Sequence, residues 1–271
     1  MKPETSRGGG SGSRLAFLRR QRVPVDQMRI DRPAAEAALA VGYALFFILA
    51  SVGTGLVIAR WPAPFLGAAS FTQDVWYAFG FKMTLLLAVP AAWLRWRGYR
   101  PGDFLAGWRP TPGALARVAL AFLAGLALNV HHIEPLRHAW GAAPPGPGRW
   151  VRALCGVLLP LLSAGLPEEI VYRGVLQTRL EAVAGRPAAI GLTVLLFTAW
   201  HLPTRFLLSH GVEGTAGDLP SVLLGTGLPV LIVGLIFGLA WDRWRNLPAL
   251  VAMHWGIDTL PALTSLFGLV W

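Results

Sequence analysis

Two adjacent carboxylates and an arginine, Glu168-Glu169-Ile170-Val171-Tyr172-Arg173, stand inside a stretch otherwise apolar enough for a lipid bilayer. A charged side chain at membrane depth costs at least a few kcal/mol, so ionisable groups there mark functional sites. On a helix Glu169 and Arg173 share a face, four residues apart, which suits a carboxylate–guanidinium pair. Glu168 projects about 100° away from that face, with Tyr172 one turn on as an orienting hydroxyl. One glutamate is then neutralised while its neighbour is left to accept a proton. The same residues can also serve only to fix helix registry at the membrane interface.

Two further polar points lie on other apolar runs. Phe197-Thr198-Ala199-Trp200-His201 puts a histidine inside the fifth run, and His254-Trp255-Gly256-Ile257-Asp258 puts a histidine and a carboxylate one turn apart in the seventh. A lone histidine in such a helix is usually an interhelical hydrogen-bonder, but three polar sites on three helices resist that reading. Two histidines and a carboxylate can hold a general base, a water and an oxyanion stabiliser, which needs no cofactor. Glu168, His201 and His254 can alternatively ligate zinc with water in the fourth position, although no HExxH is present. Lys82, inside the second run, is expected to snorkel or to pair with Asp74 rather than to contact substrate. His131, His132 and His138 are expected in a solvated loop, and Ser209-His210 lacks a third partner for a hydrolase.

The frame for these residues follows from composition. Of 271 residues 54% are hydrophobic and 14% charged, with a mean hydropathy of +0.52. An all-α, polytopic transmembrane helical bundle is predicted, with spans near 34–59, 75–94, 112–130, 150–169, 188–208, 222–241 and 247–271. An eighth span or a re-entrant segment is the alternative, and Pro160 and Pro167 predict a kink in the fourth span. Strand-like alternation that would indicate a barrel is lacking. Residues 1–33 read as a basic, flexible cytoplasmic tail and 34–271 as the transmembrane domain, its motifs lying within 150–260. No signal-peptide pattern precedes the first run.

The net charge of +10 is spread between apolar runs, which points to anionic lipid and topology and away from nucleic acid. Basic residues in 1–33, 95–111, 173–187 and 242–246 predict a cytoplasmic N-terminus, with Arg173, Arg179 and Arg186 assigned to one inside loop. Cys155 is the single cysteine, so no internal disulfide forms. One tension remains. Counted from predicted cytoplasmic ends at about 1.5 Å per residue, His201 lies about 20 Å deep, but Glu168 and His254 lie only about 8–10 Å deep.

The three motifs, Glu168-Glu169-x-x-x-Arg173, Phe197-x-x-x-His201 and His254-x-x-x-Asp258, resemble those of the CPBP family of intramembrane proteases. That family includes the type II CAAX prenyl endopeptidases and bacterial Abi or bacteriocin-processing relatives. The resemblance covers about residues 150–260 and implies a glutamate-type intramembrane endopeptidase. It implies Glu168 as general base, with His201 holding the water. His254 and Asp258 would stabilise the oxyanion or orient the group that does, and Glu169, Arg173 and Tyr172 would position the helix. Some members carry Asn where this chain has Asp258; an ionised aspartate cannot donate to an oxyanion, so orientation of His254 is expected. The implied setting is a bacterial inner membrane. The implied substrate is a protein or peptide cut near its C-terminus or membrane boundary, such as a sorting tail, a pheromone or a leader. A non-enzymatic immunity or scaffold protein, or a proton-coupled transporter, would use the same residues differently.

Overall fold

The computed structural model of the chain describes residues 30, 32–60, 76–105, 108–143, 145–209 and 213–267. Nearly all of the basic tail lies outside these, as do Asp74 and His210. The described residues are helical and contain no strand. Eight helices follow in order. They are α1 (Pro33–Arg60), α2 (76–96), α3 (Pro112–Leu128), α4 (Ile133–Ala142), α5 (Pro147–Ala184), α6 (Arg186–Leu208), α7 (Leu219–Trp244) and α8 (Leu247–Leu266).

Sequence dictates many of the ends. Proline stands in the first turn of α3, α5, α6, α7 and α8, where its missing N–H forgoes no bond. Thr111 and Asn246 cap α3 and α8, each accepting a hydrogen bond from a backbone N–H at 3.2 Å. Two tight reversals complete the pattern: Gly185, at φ 75°, between α5 and α6, and Arg245, at φ 46°, between α7 and α8.

Four helices, α1, α5, α6 and α7, are long and apolar enough to cross a membrane, and α3 with α4, bent by 64°, makes up to five. Leu49, Leu120 and Leu224 stand outward on these helices with most of their surface exposed, as side chains facing lipid would. Within α5 the turns widen to π-helix at Leu161–Gly165 and again at Glu169–Gln177, next to Pro160 and Pro167. The prolines predict a kink here; the helix runs on unbroken to Ala184, with its turns widened beside them.

Two loop assignments are corrected. The segment 131–149 contains helix α4 rather than only loop. The inside loop expected at 173–187 does not exist, because α5 continues to Ala184 with Arg173 and Arg179 fully buried. The physical reason is distant acid. Glu36, in the first turn of α1, accepts from Arg179 Nε at 3.1 Å and from Arg97 Nη2 at 3.1 Å, and Tyr99 accepts from Arg179 Nη2 at 2.9 Å. Glu181 likewise pairs with Arg245 and, at 3.1 Å, with Arg186. The continued helix also removes the depth tension between Glu168 and His201. Glu168 lies sixteen residues before Ala184 and His201 fifteen after Arg186, so both stand at about the same height.

The remaining packing brings α8 to the centre. It lies along α3 and α5, while α6 lies between α1 and α7. At the α3–α8 crossing a Cβ on Gly125 would come within 2.2 Å of the Met253 carbonyl oxygen, and one on Gly256 within 2.2 Å of the Phe122 carbonyl oxygen. Such backbone-to-backbone approach is what small residues permit in membrane helices.

Candidate active site

Glu168 is the middle of the polar cluster. Its side chain is 1% exposed, and its Oε2 faces His201 Nε2 at 4.0 Å and His254 Nε2 at 3.8 Å. The same oxygen has no hydrogen-bond partner among the described residues. An ionisable oxygen left unpaired in the interior is costly, so it calls for a functional account. Three helices, α5, α6 and α8, thus deliver one side chain each to a common point.

Each imidazole is held from behind. The Phe197 carbonyl accepts from His201 Nδ1 at 2.7 Å; since a carbonyl only accepts, the ring proton sits on Nδ1. His201 Nε2 then presents a lone pair toward Glu168. This is the reason for Phe and His four apart on α6: one helical turn carries the clamp. The Phe197 ring meets His201 at 4.7 Å and Tyr172 at 5.0 Å, edge to face in both cases.

His254 is held by Glu169, whose Oε1 accepts from Nδ1 at 2.8 Å. That oxygen also accepts from Arg173 Nη1 at 3.0 Å. The guanidinium lies over Phe197 at 4.4 Å and Phe237 at 5.3 Å, with Nη2 3.4 Å from the Gly234 carbonyl oxygen. Asp258 Oδ2 lies 3.5 Å from His254 Nε2, on the side that also faces Glu168. The far side of His254, where an orienting carboxylate would sit, is therefore occupied by Glu169, and Asp258 faces the shared point instead. With 38% of its side chain exposed, Asp258 marks the open edge of the cluster.

Lys82 belongs here too, against expectation. Its Nζ is 2.5 Å from Glu168 Oε1 and 5.3 Å from the centre of the Trp200 ring. Neither its spacing nor its neighbours signal this, since its partner lies 86 residues further along the chain. The zinc alternative does not fit. Among the described residues no three His, Cys, Asp or Glu side chains are grouped to hold a metal, and the Lys82 ammonium already lies against Glu168. Of the three histidines expected to be solvated, His131 and His138 are exposed but His132 is half-buried, and His138 pairs with Glu134 at 2.9 Å.

Comparison with known proteins finds one family. No curated protein and no solved structure matches the chain significantly. Residues 150–260 match the family model described as type II CAAX prenyl endopeptidase Rce1-like, a match that takes in Glu168, Glu169, Arg173, His201, His254 and Asp258. The match belongs with the apolar helices, which make the chain an integral membrane protein. Residues 150–260 are thus similar to the Rce1-like type II CAAX prenyl endopeptidases, a likeness that supports a protease of the CPBP kind.

Proposed function

We propose that the protein is a glutamate-type intramembrane endopeptidase. The observation that carries this reading is the single Glu168 oxygen standing about one water molecule away from two imidazole nitrogens. At about 2.8 Å per hydrogen bond, one water can reach Glu168 Oε2 and His201 Nε2 together. Both atoms are acceptors, so the water donates a proton to each and turns its oxygen lone pairs outward, toward a substrate carbonyl carbon.

In the attacking step the water's proton passes to Glu168 as its oxygen bonds to the carbonyl carbon, leaving a tetrahedral oxyanion. His254 faces the same point and, when protonated, donates from Nε2 to that oxyanion. Collapse breaks the C–N bond, and the proton held by Glu168 goes to the departing amine. The water's second hydrogen stays on the new carboxyl group. Asp258, at the open edge, lies where an incoming peptide would enter.

The substrate we propose is a protein or peptide cut near its C-terminus or at a membrane boundary, in a bacterial inner membrane with the N-terminus cytoplasmic. Basic residues support that orientation even without Arg173 and Arg179. Arg32, Arg95, Arg97, Arg100, Arg186 and Arg243 share the end of the bundle where Glu36 and Glu181 make their pairs. Seven spans are the finer reading. Segment 76–96, of 21 residues, and helix α8, of 20, each have about the 20 residues a helix needs to cross the hydrocarbon core.

The test compares C-terminal peptides of membrane proteins from cells carrying the intact chain and the Glu168→Gln chain. At least one peptide should depend on the intact chain, and purified Glu168→Gln should lose cleavage by a factor of about 100 or more while remaining folded. Undiminished cleavage by Glu168→Gln would end the proposal.

A further inference from the structure

The family match begins at residue 150, yet the shortest ionic contact to the proposed base comes from residue 82. Lys82 stands on the π-helical part of α2, Trp76–Ala88, whose wide turns re-aim side chains relative to an α-helix. Its side chain is 12% exposed, and its ammonium lies beside the buried carboxylate of Glu168. The seat is built by aromatic packing. Phe81, the preceding residue, stacks on Phe47 at 5.0 Å, and Phe47 meets Trp200 at 5.1 Å. Trp200 in turn lies under the Lys82 ammonium and precedes His201. Thus α1, α2 and α6 together fix a cation against one oxygen of Glu168 while the other oxygen faces the histidines.

We propose that Lys82 is the counter-ion of the base, keeping Glu168 ionised in surroundings that would otherwise neutralise it. This rests on the assignment of Glu168 as base. A carboxylate removed from water without a partner takes up a proton and can no longer accept one. Other cations near the cluster are committed: Arg173 to Glu169 and the Gly234 carbonyl, Arg205 to Glu213 at 3.0 Å. The pairing also matches the chemistry step by step. Before attack the site holds carboxylate and ammonium; after the proton moves it holds neutral Glu168, the same ammonium and an oxyanion. The net charge never changes, and the ammonium that Glu168 no longer neutralises stays in the site where the negative charge forms. Lys82 is thereby a positioning residue contributed by the half of the chain outside the family match.

Infrared spectroscopy of the full-length protein in lipid nanodiscs, with carboxyl-labelled glutamate at neutral pH, tests this without any substrate. The intact chain should show no protonated carboxyl band that Glu168→Gln removes. Lys82→Met should gain such a band, one per chain, and the double variant Lys82→Met/Glu168→Gln should lose it. Lys82→Arg, which keeps the charge, should not gain it. If Lys82→Met fails to fold, Lys82→Gln carries the same comparison. A protonated Glu168 in the intact chain, or an ionised one after charge removal, overturns the proposal. Because the spectrum needs no cleavage, failure to find a cleaved peptide would count against the protease reading and leave this result standing.

Discussion

Glu169 Oε1 accepts from both Arg173 and His254, so one oxygen ties the buried guanidinium to the imidazole that faces Glu168. Substitution of the two neighbouring glutamates should therefore give opposite outcomes. Glu169→Gln leaves Arg173, fully buried, without its counter-ion, and should destabilise the fold by about 3–5 kcal/mol. Thermal unfolding in detergent should show a lower midpoint for Glu169→Gln than for Glu168→Gln. At this scale the sequence was legible where rare residue types interrupted apolar runs: Glu168, Glu169, Arg173, His201 and His254 all stand in the cluster. Lys82 was not, because a lysine inside an apolar run looks the same whether it snorkels or pairs with a carboxylate 86 residues away. Nor was the geometry around His254, since only coordinates distinguish a carboxylate behind the ring from one in front.

Among the elements, α8 depends most on what is absent from its surface. Gly256 lies two residues from His254 and lets the α3 and α8 backbones touch through Gly125. Alanine at either position inserts a methyl group into a backbone contact with no flexible side chain to yield. Gly256→Ala and Gly125→Ala should each cost about 1–3 kcal/mol by overpacking. They should also reduce cleavage by moving His254, whereas Gly42→Ala, which meets nothing within 4 Å, should do neither. Unfolding midpoints and cleavage rates of the three variants check this. Helix existence was largely legible at this scale, because apolar runs bounded by proline and glycine are strong signals. The end of α5 was misread, since charged residues after Gly174 look like loop until a partner for Arg179 is known. Helix α4 was missed because its short, mixed-polarity sequence lacks the apolar length by which the other helices were found.

For the whole molecule, the family-matched part is not self-sufficient. Arg179 and Glu168 in that part draw their ionic partners, Glu36 and Lys82, from helices before it. A fragment of residues 147–271 should therefore insert but remain protease-sensitive. Co-expression with 1–146 should restore resistance, and Glu36→Gln in the complementing piece should weaken that rescue. Limited proteolysis of membranes reads all three states.

The Glu36–Arg179 pair spans 143 residues of chain, with the acid at the earlier position. During synthesis the first helix is thus delivered to the bilayer long before the ribosome reaches the arginine, and the negative partner is waiting when the positive one emerges. A circularly permuted gene that makes α5 before α1 would reverse this arrival order. Arg179 would then have to be housed near lipid until its acid appeared, so the natural order of helices is itself part of how the protein tolerates a deeply buried charge.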